Sequence, residues 1–226
     1  QRLKRELQSA DELKIIHKPN GGKASALNLG FQHAQGEYIL SMDADSELAD
    51  GAIERLIVRI ADTDLGGCAG QVAIRNTNNL ISYLQSLEYT LMNGTGRLFQ
   101  SFFASVLVAP GPITLFKKEA LNAVTEMSKL VPSAPPKPTD IAGPWESDTF
   151  AEDAKLSMAM LASGYGIVFE PSALCYTQCP SNPVGLLSQR YRWVRGNLQA
   201  CGAVWNLWTH VSDRKPNLGT WLMWFL

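Results

Sequence analysis

The stretch Tyr38-Ile39-Leu40-Ser41-Met42-Asp43-Ala44-Asp45 decides the fold. Its apolar run reads as a strand ending at Asp43, and two carboxylates two positions apart follow at once. Upstream, Leu13-Lys14-Ile15-Ile16-His17 reads as a short strand and Pro19-Asn20-Gly21-Gly22 as a turn. Lys23 to Ala34 then has helical spacing, with Ala26, Leu27, Phe31 and Ala34 on its apolar side. Downstream, Gly51 to Ala61 reads as a helix and Gly66 to Ile74 as a strand. This alternation predicts an α/β fold with a mainly parallel sheet. Ligands of such sheets bind outside the carboxyl ends of the strands, where Asp43-Ala44-Asp45 falls.

Further along, Leu80, Leu84, Leu87, Leu91 and Leu98 share one face of a long helix that Gly94 interrupts. Val106 to Phe116 reads as a strand pair broken by Pro110-Gly111-Pro112, and Lys117 to Thr125 as a short helix. The prolines between Ser128 and Thr149 predict an irregular excursion. Glu152 to Ser163 then reads as a helix, Gly166 to Glu170 as a strand, and Pro183 to about His210 as a long helix.

Two pairs of carboxylates can carry chemistry. In an extended segment Asp43 and Asp45 point to one side and can hold a hard divalent cation, with positions left open for phosphate oxygens. Glu152-Asp153 opens a helix and has two readings. The helix dipole favours acids in a first turn, and a carboxylate there can also serve as a general base toward a hydroxyl.

The last helix carries an apolar stripe of Leu187, Tyr191, Val194, Leu198, Cys201, Trp205 and Trp208. Gln189, Arg192 and Trp193 occupy the other face, and Gly196, Ala200 and Ala203 continue it with residues small enough for close approach. Arg190, Arg192 and Arg195 have no acid near them in sequence, because none occurs between Glu170 and Asp213. A basic amphipathic helix with tryptophans suits a membrane interface, whereas a core-packed helix with solvated arginines has the same pattern. An arginine aimed into a site can also hold a diphosphate.

The 226 residues suffice for one sizeable core, and the formal net charge of −1 leaves no global field to attract nucleic acid. Cys68, Cys175, Cys179 and Cys201 are too scattered for a disulfide framework or a zinc site and read as reduced thiols. Without an initiator methionine, and with Gln1 to Arg5 inside a helical pattern, the chain reads as a piece of a longer one. Trp221-Leu222-Met223-Trp224-Phe225-Leu226 fits either the start of a membrane helix, which needs about 20 apolar residues, or a buried helix end.

Four motifs in order resemble membrane-bound family 2 glycosyltransferases. They are Lys18-Pro19-Asn20-Gly21-Gly22-Lys23-Ala24-Ser25-Ala26-Leu27-Asn28, Asp43-Ala44-Asp45, Ala151-Glu152-Asp153 and Gln189-Arg190-Tyr191-Arg192-Trp193. The resemblance runs from about Leu13 to His210. It implies an α/β, GT-A (Rossmann-like) catalytic domain over residues 1–180, facing the cytoplasm at the cell membrane. Residues 181–226 would form an amphipathic interface helix and the start of a transmembrane segment, with accessory membrane subunits as further partners.

By the same resemblance Asp45, supported by Asp43, would hold Mg²⁺ or Mn²⁺, and Asp153 would be the catalytic base. Lys23, Asp43, Asp45 and Arg192 would bind the donor. Gln189, Arg192, Trp193, Gly111 and Glu152 would bind the acceptor. The implied reaction is an inverting, metal-dependent transfer of a sugar to a growing β-linked polysaccharide. Phe169-Glu170-Pro171-Ser172-Ala173-Leu174 and Gln189-Arg190-Tyr191-Arg192-Trp193 look closest to poly-β-1,6-N-acetylglucosamine synthases, pointing to UDP-N-acetylglucosamine as donor. Hyaluronan, chitin and cellulose synthases share the skeleton. Competing readings are a non-processive transferase acting on a lipid or short glycan, and an inactive membrane-peripheral binding fragment. A Rossmann dehydrogenase would need the Gly-x-Gly-x-x-Gly fingerprint, which is lacking.

Two features depart from the family. Its first strand and its Asp-Asp-Gly-Ser stretch for the nucleobase are absent and would precede Gln1. Ala151 stands where the family has threonine.

Overall fold

Helix α1 (Gly22–His33) leads into strand β1 (Tyr38–Ser41), the two-residue strand β2 (Glu47–Leu48), helix α2 (Ala52–Ile60) and strand β3 (Leu65–Ile74). Helix α3 (Leu80–Leu87), a π-helical segment (Glu88–Asn93) and helix α4 (Gly94–Ser101) follow without a break. Strand β4 (Thr114–Lys117), helices α5 (Lys118–Leu130) and α6 (Glu152–Ala162), strand β5 (Gly166–Thr177) and helix α7 (Pro183–His210) complete the order. The computed structural model describes residues 14–61, 63–130, 138–147 and 149–210, and the side chains of all but 92 and 204–210 among them. The terminal segments Gln1–Leu13 and Val211–Leu226, with their expected helix and apolar tail, lie outside the described residues.

The five strands form one sheet in the order β1-β4-β3-β5-β2. It is mixed rather than mainly parallel. Only β3 and β5 pair in parallel, while β4 runs antiparallel to both β1 and β3, and β2 antiparallel to β5. The strand–helix alternation is nonetheless real, because β1, β3 and β5 share one direction. The four-residue β4 is a reversed wedge between β1 and β3. Residues 106–113, expected to be strand, form the loop before it, since Pro110 and Pro112 have no N–H to give a ladder.

Residues 14–17 adopt no regular structure, against the expected strand at 13–17. Strand β5 runs past Glu170 to Thr177, because its register on β3 jumps from Gly70–Glu170 to Gln71–Leu174. That bulge accommodates Pro171.

Two apolar layers flank the sheet. One gathers Phe116, Leu121, Trp145, Leu156, Met160 and Phe169; the other gathers Leu56, Ile60, Val72, Ile113, Leu115 and Val168. Residues 138–147 of the expected excursion are stitched onto the first layer, and residues 131–137 lie outside the described residues. Buried Asn28 donates from Nδ2 to the carbonyls of Ile141 and Trp145 (both 2.7 Å), and its Oδ1 accepts from the Trp145 N–H at 3.0 Å. On the other side of the excursion, Glu146 accepts from Lys155 Nζ at 2.7 Å, and the Lys155 side chain is 3% exposed. Breaking one side of such a buried pair costs about 3–5 kcal/mol. The excursion therefore clamps α1 to α6, the two helices whose first turns meet in the candidate site.

Two helical stripes face away from the core. The expected long helix at 80–98 is divided by the π segment, and Leu80, Leu84, Leu87, Leu91 and Leu98 are all exposed. On α7, Leu187, Tyr191, Val194 and Leu198 are exposed as well. The small face of α7 turns inward. Gly196 lies so close to α6 that a Cβ there would meet Ala151 Cβ at 2.5 Å, and Ala200 is fully buried.

Candidate active site

The carboxyl end of β1 delivers Asp43 into a turn. Ser46 N–H donates to the Asp43 carbonyl at 3.1 Å, so Asp43-Ala44-Asp45 is not the extended segment expected from the sequence. The side-chain alternation of a strand therefore does not apply to it. Asp43 faces inward and Asp45 is exposed.

Opposite Asp43, helix α1 begins at Gly22, whose φ of +83° a residue with a side chain seldom adopts. That reversal places Lys23 in the first turn. Its Nζ lies 2.7 Å from Asp43 Oδ1 and 2.8 Å from Glu152 Oε1, so one ammonium joins the β1 turn to the start of α6.

Asp153, next on α6, is held by backbone donors. Its Oδ1 accepts from the Ala154 N–H at 2.8 Å and its Oδ2 from the Gly111 N–H at 3.3 Å. The loop carrying Gly111 is fixed to the same helix, because the Ala109 N–H donates to Ser157 Oγ at 3.0 Å, and Ser157 Oγ donates to the Asp153 carbonyl at 2.7 Å. Burial pushes the Asp153 carboxyl above its ordinary range, and the charge of Glu152 adds to this. Lys23 and the two backbone N–H groups oppose the rise. A carboxylate so placed attracts a proton more strongly than an exposed one, as a general base at neutral pH requires.

Gly111 sits at the centre. A Cβ on it would stand 2.9 Å from Lys23 Nζ and 3.6 Å from both Asp153 Oδ2 and Asp43 Oδ1. The structure thus brings Lys23, Asp43, Gly111, Glu152 and Asp153 together from four separate segments. It gives Asp45 and Arg192 no ion pair among the described residues, and both side chains are exposed. Among the described residues no three acidic, histidine or cysteine side chains converge around a cation. The oxygen donors of the β1 turn are Asp43, whose Oδ1 is paired with Lys23, and the exposed Asp45; carboxylates are the donor class that Mg²⁺ or Mn²⁺ takes.

Trp193 of α7 lies beside the π segment. Gln189 Oε1 is buried without a hydrogen-bond partner, and the rings of Trp193 and Tyr89 are 6.0 Å apart.

Sequence reasoning missed Arg97, which donates from Nε to the Val108 carbonyl at 3.2 Å and so braces the Gly111 loop. Burial lowers its guanidinium below the ordinary range, while the charge of Asp153 counters that. The i, i+4 spacing from Asn93 to Arg97 contains nothing to set this arginine apart. Ala151 packs against α7, where a Cβ on Gly196 would stand 2.5 Å from the Ala151 Cβ; nothing in the structure explains why alanine stands there in place of threonine.

A family model described as "Glycosyl transferase family 2" matches residues 2–125. The poly-beta-1,6-N-acetyl-D-glucosamine synthase of Staphylococcus epidermidis is 31% identical over 200 residues, which are 88% of this chain and 44% of that protein. The protein of the same name from Staphylococcus aureus (strain COL) is 32% identical over 178 residues, 78% of this chain and 39% of that one. The chain thus spans less than half the length of these curated relatives. Among solved structures, mannosyltransferase PcManGT from Pyrobaculum calidifontis, in complex with GDP-Man and Mn²⁺, superposes with a TM-score of 0.64 at 19% identity. The match covers 96% of this chain and 52% of that one, and it bears out the expected GT-A architecture.

Proposed function

This chain belongs to glycosyl transferase family 2, and on that footing we propose that the full-length protein builds a β-linked polysaccharide from UDP-N-acetylglucosamine. The observation that carries the proposal is the placement of Asp153, buried at the start of α6 and grouped through Lys23 and Gly111 with Asp43 at the end of β1. That is the arrangement an inverting transfer needs, with one base on the acceptor side and cationic support on the donor side.

In this reading the acceptor hydroxyl gives its proton to Asp153 as its oxygen attacks the anomeric carbon. The bond from that carbon to the diphosphate breaks, and its electron pair leaves with UDP. Attack from the side opposite the leaving group inverts the α-linked donor to a β-linkage. Lys23 would follow the charge that develops on the diphosphate. Asp43 and Asp45 would hold Mg²⁺ or Mn²⁺, which when bound offsets negative charge on the leaving group. The relative with Mn²⁺ in its structure supports this metal class. Gln189, Trp193 and Arg192 extend the acceptor and diphosphate side, and Gly111 leaves room for the terminal sugar.

The choice of N-acetylglucosamine rests on the names of the relatives at 31–32% identity. The membrane is the proposed setting. Residues 1–180 would form the cytoplasmic transferase domain, and α7 would lay its exposed apolar stripe into the interface, with arginines at the headgroups. No helix among the described residues is long and apolar enough to cross a membrane.

Membranes containing the full-length protein and labelled UDP-sugars provide the test. Label should enter polymer from UDP-N-acetylglucosamine, with incorporation lost on chelation and restored by Mg²⁺ or Mn²⁺. Incorporation of glucose alone would overturn the donor assignment, and undiminished incorporation in excess chelator would overturn the metal role.

A further inference from the structure

We infer that Glu88 and Arg190 form a latch that positions Trp193 for the acceptor, an inference that rests on the transferase reading above. Arg190 of α7 donates through both terminal nitrogens to Glu88, Nη1 to Oε1 at 2.8 Å and Nη2 to Oε2 at 2.6 Å. The same guanidinium lies over the Trp193 ring, 4.4 Å from its centroid. The Tyr89 ring approaches that indole at 6.0 Å. The indole is therefore set by two neighbours, and one of them is locked by a bidentate, partly buried ion pair. Such a pair holds direction as well as distance, unlike an exposed monodentate one.

The π-helical segment explains how Glu88 and Tyr89 come to face α7. An extra residue in the turn shifts both from the register of α3 and frees a carbonyl from the usual helical partner. Gln71 of β3 takes up that carbonyl, donating from Nε2 to Tyr89 O at 3.1 Å. Gly94 permits this, because a Cβ there would stand 2.8 Å from Gln71 Oε1. The latch is thereby anchored to the central sheet. Burial pushes the Tyr89 phenol up to about 12, with the positive charges of Arg190 and Arg97 opposing the rise, and Arg97 in turn feels the charge of Asp153. The bonds of Arg190 run to Glu88 and its guanidinium lies over Trp193; Glu88 and Arg190 are positioning residues acting through Trp193.

The test uses the full-length enzyme with Glu88→Gln, Arg190→Gln and the double variant. Acceptor KM is measured separately from donor affinity, and amide hydrogen exchange is followed across residues 186–200. Each single variant should raise acceptor KM by about tenfold, with donor affinity within about twofold of wild type. The double variant should be no worse than either single one, as expected when two residues act as one unit. Faster exchange in α7 should accompany the loss. Single variants with wild-type acceptor KM, or losses that multiply to about a hundredfold in the double variant, would overturn the latch. An unchanged donor affinity certifies that the variants fold. Should the wild type itself transfer no sugar, the parent reading fails and the positioning role falls with it.

Discussion

Replacing Asp153 by asparagine in the full-length protein is expected to lower sugar transfer by about a thousandfold while leaving nucleotide-sugar affinity within about twofold. The adjoining carboxylate of Glu152 is not free to substitute, because Lys23 engages it at 2.8 Å. Asparagine keeps the shape but can accept from only one of the Gly111 and Ala154 N–H groups, so the retained nucleotide-sugar affinity and a melting curve are what assign the loss to proton transfer. The pH dependence has a definite sign. Burial raises the Asp153 carboxyl above its ordinary range, so the acid limb of kcat/KM should lie above the range of an exposed aspartate. A carboxyl raised on folding adds stability below its unfolded pKa and loses that contribution as pH rises through the folded one. At neutral pH the ionised Asp153 is therefore a cost to the fold, and the asparagine variant should melt at the same temperature or a few degrees higher, by about 1–3 °C. Residual transfer above about a tenth of wild type would be incompatible with Asp153 as the base.

Gly111→Ala should be the next most damaging single change, lowering kcat/KM for the acceptor by about a hundredfold. The added methyl would stand 2.9 Å from Lys23 Nζ and 3.6 Å from the Asp43 and Asp153 oxygens. The lysine must then yield its bridging position, or the loop must withdraw the N–H that Asp153 accepts. The fold itself should be little affected, because the loop remains tied through Ala109 to Ser157 and through Val108 to Arg97. Steady-state kinetics with a melting curve alongside distinguish the two effects. A variant with full acceptor kinetics would remove Gly111 from the acceptor site.

The segments that form the candidate site are largely legible in the sequence. An apolar strand running into Asp43, a glycine turn before Lys23 and acids opening a helix at Glu152 are local patterns, and each occurs where expected. The strict limit was pairing. Alternation along β1, β3 and β5 reveals their shared direction, but nothing in Thr114–Lys117 says that β4 enters between two of them reversed. Likewise the turn at Asp43 depends on a backbone bond to Ser46 that the spacing of two aspartates does not encode.

The contacts made over long sequence distances were the least visible. Glu88 and Arg190 are 102 positions apart, and the π segment that aligns them looks like uninterrupted helix in a pattern of leucines. Arg190 occupies a position inside the Gln-x-x-Arg-Trp pattern that the motif leaves open, whereas the motif's own Arg192 is exposed. The small face at Gly196 and Ala200 was readable, because only close packing explains such residues in mid-helix, and α7 does lie against Ala151 there.

In the proposed reaction the cluster around Asp153, Lys23, Gly111 and Asp43 performs an inverting sugar transfer. The most direct measurement is the anomeric configuration of the product made from UDP-N-acetylglucosamine by the full-length protein, read from the proton coupling at the anomeric carbon. Inversion at the anomeric carbon gives a β-linked N-acetylglucosamine polymer. An α-linked product would contradict it, because a single base at Asp153 acting opposite the leaving group cannot retain the donor's configuration.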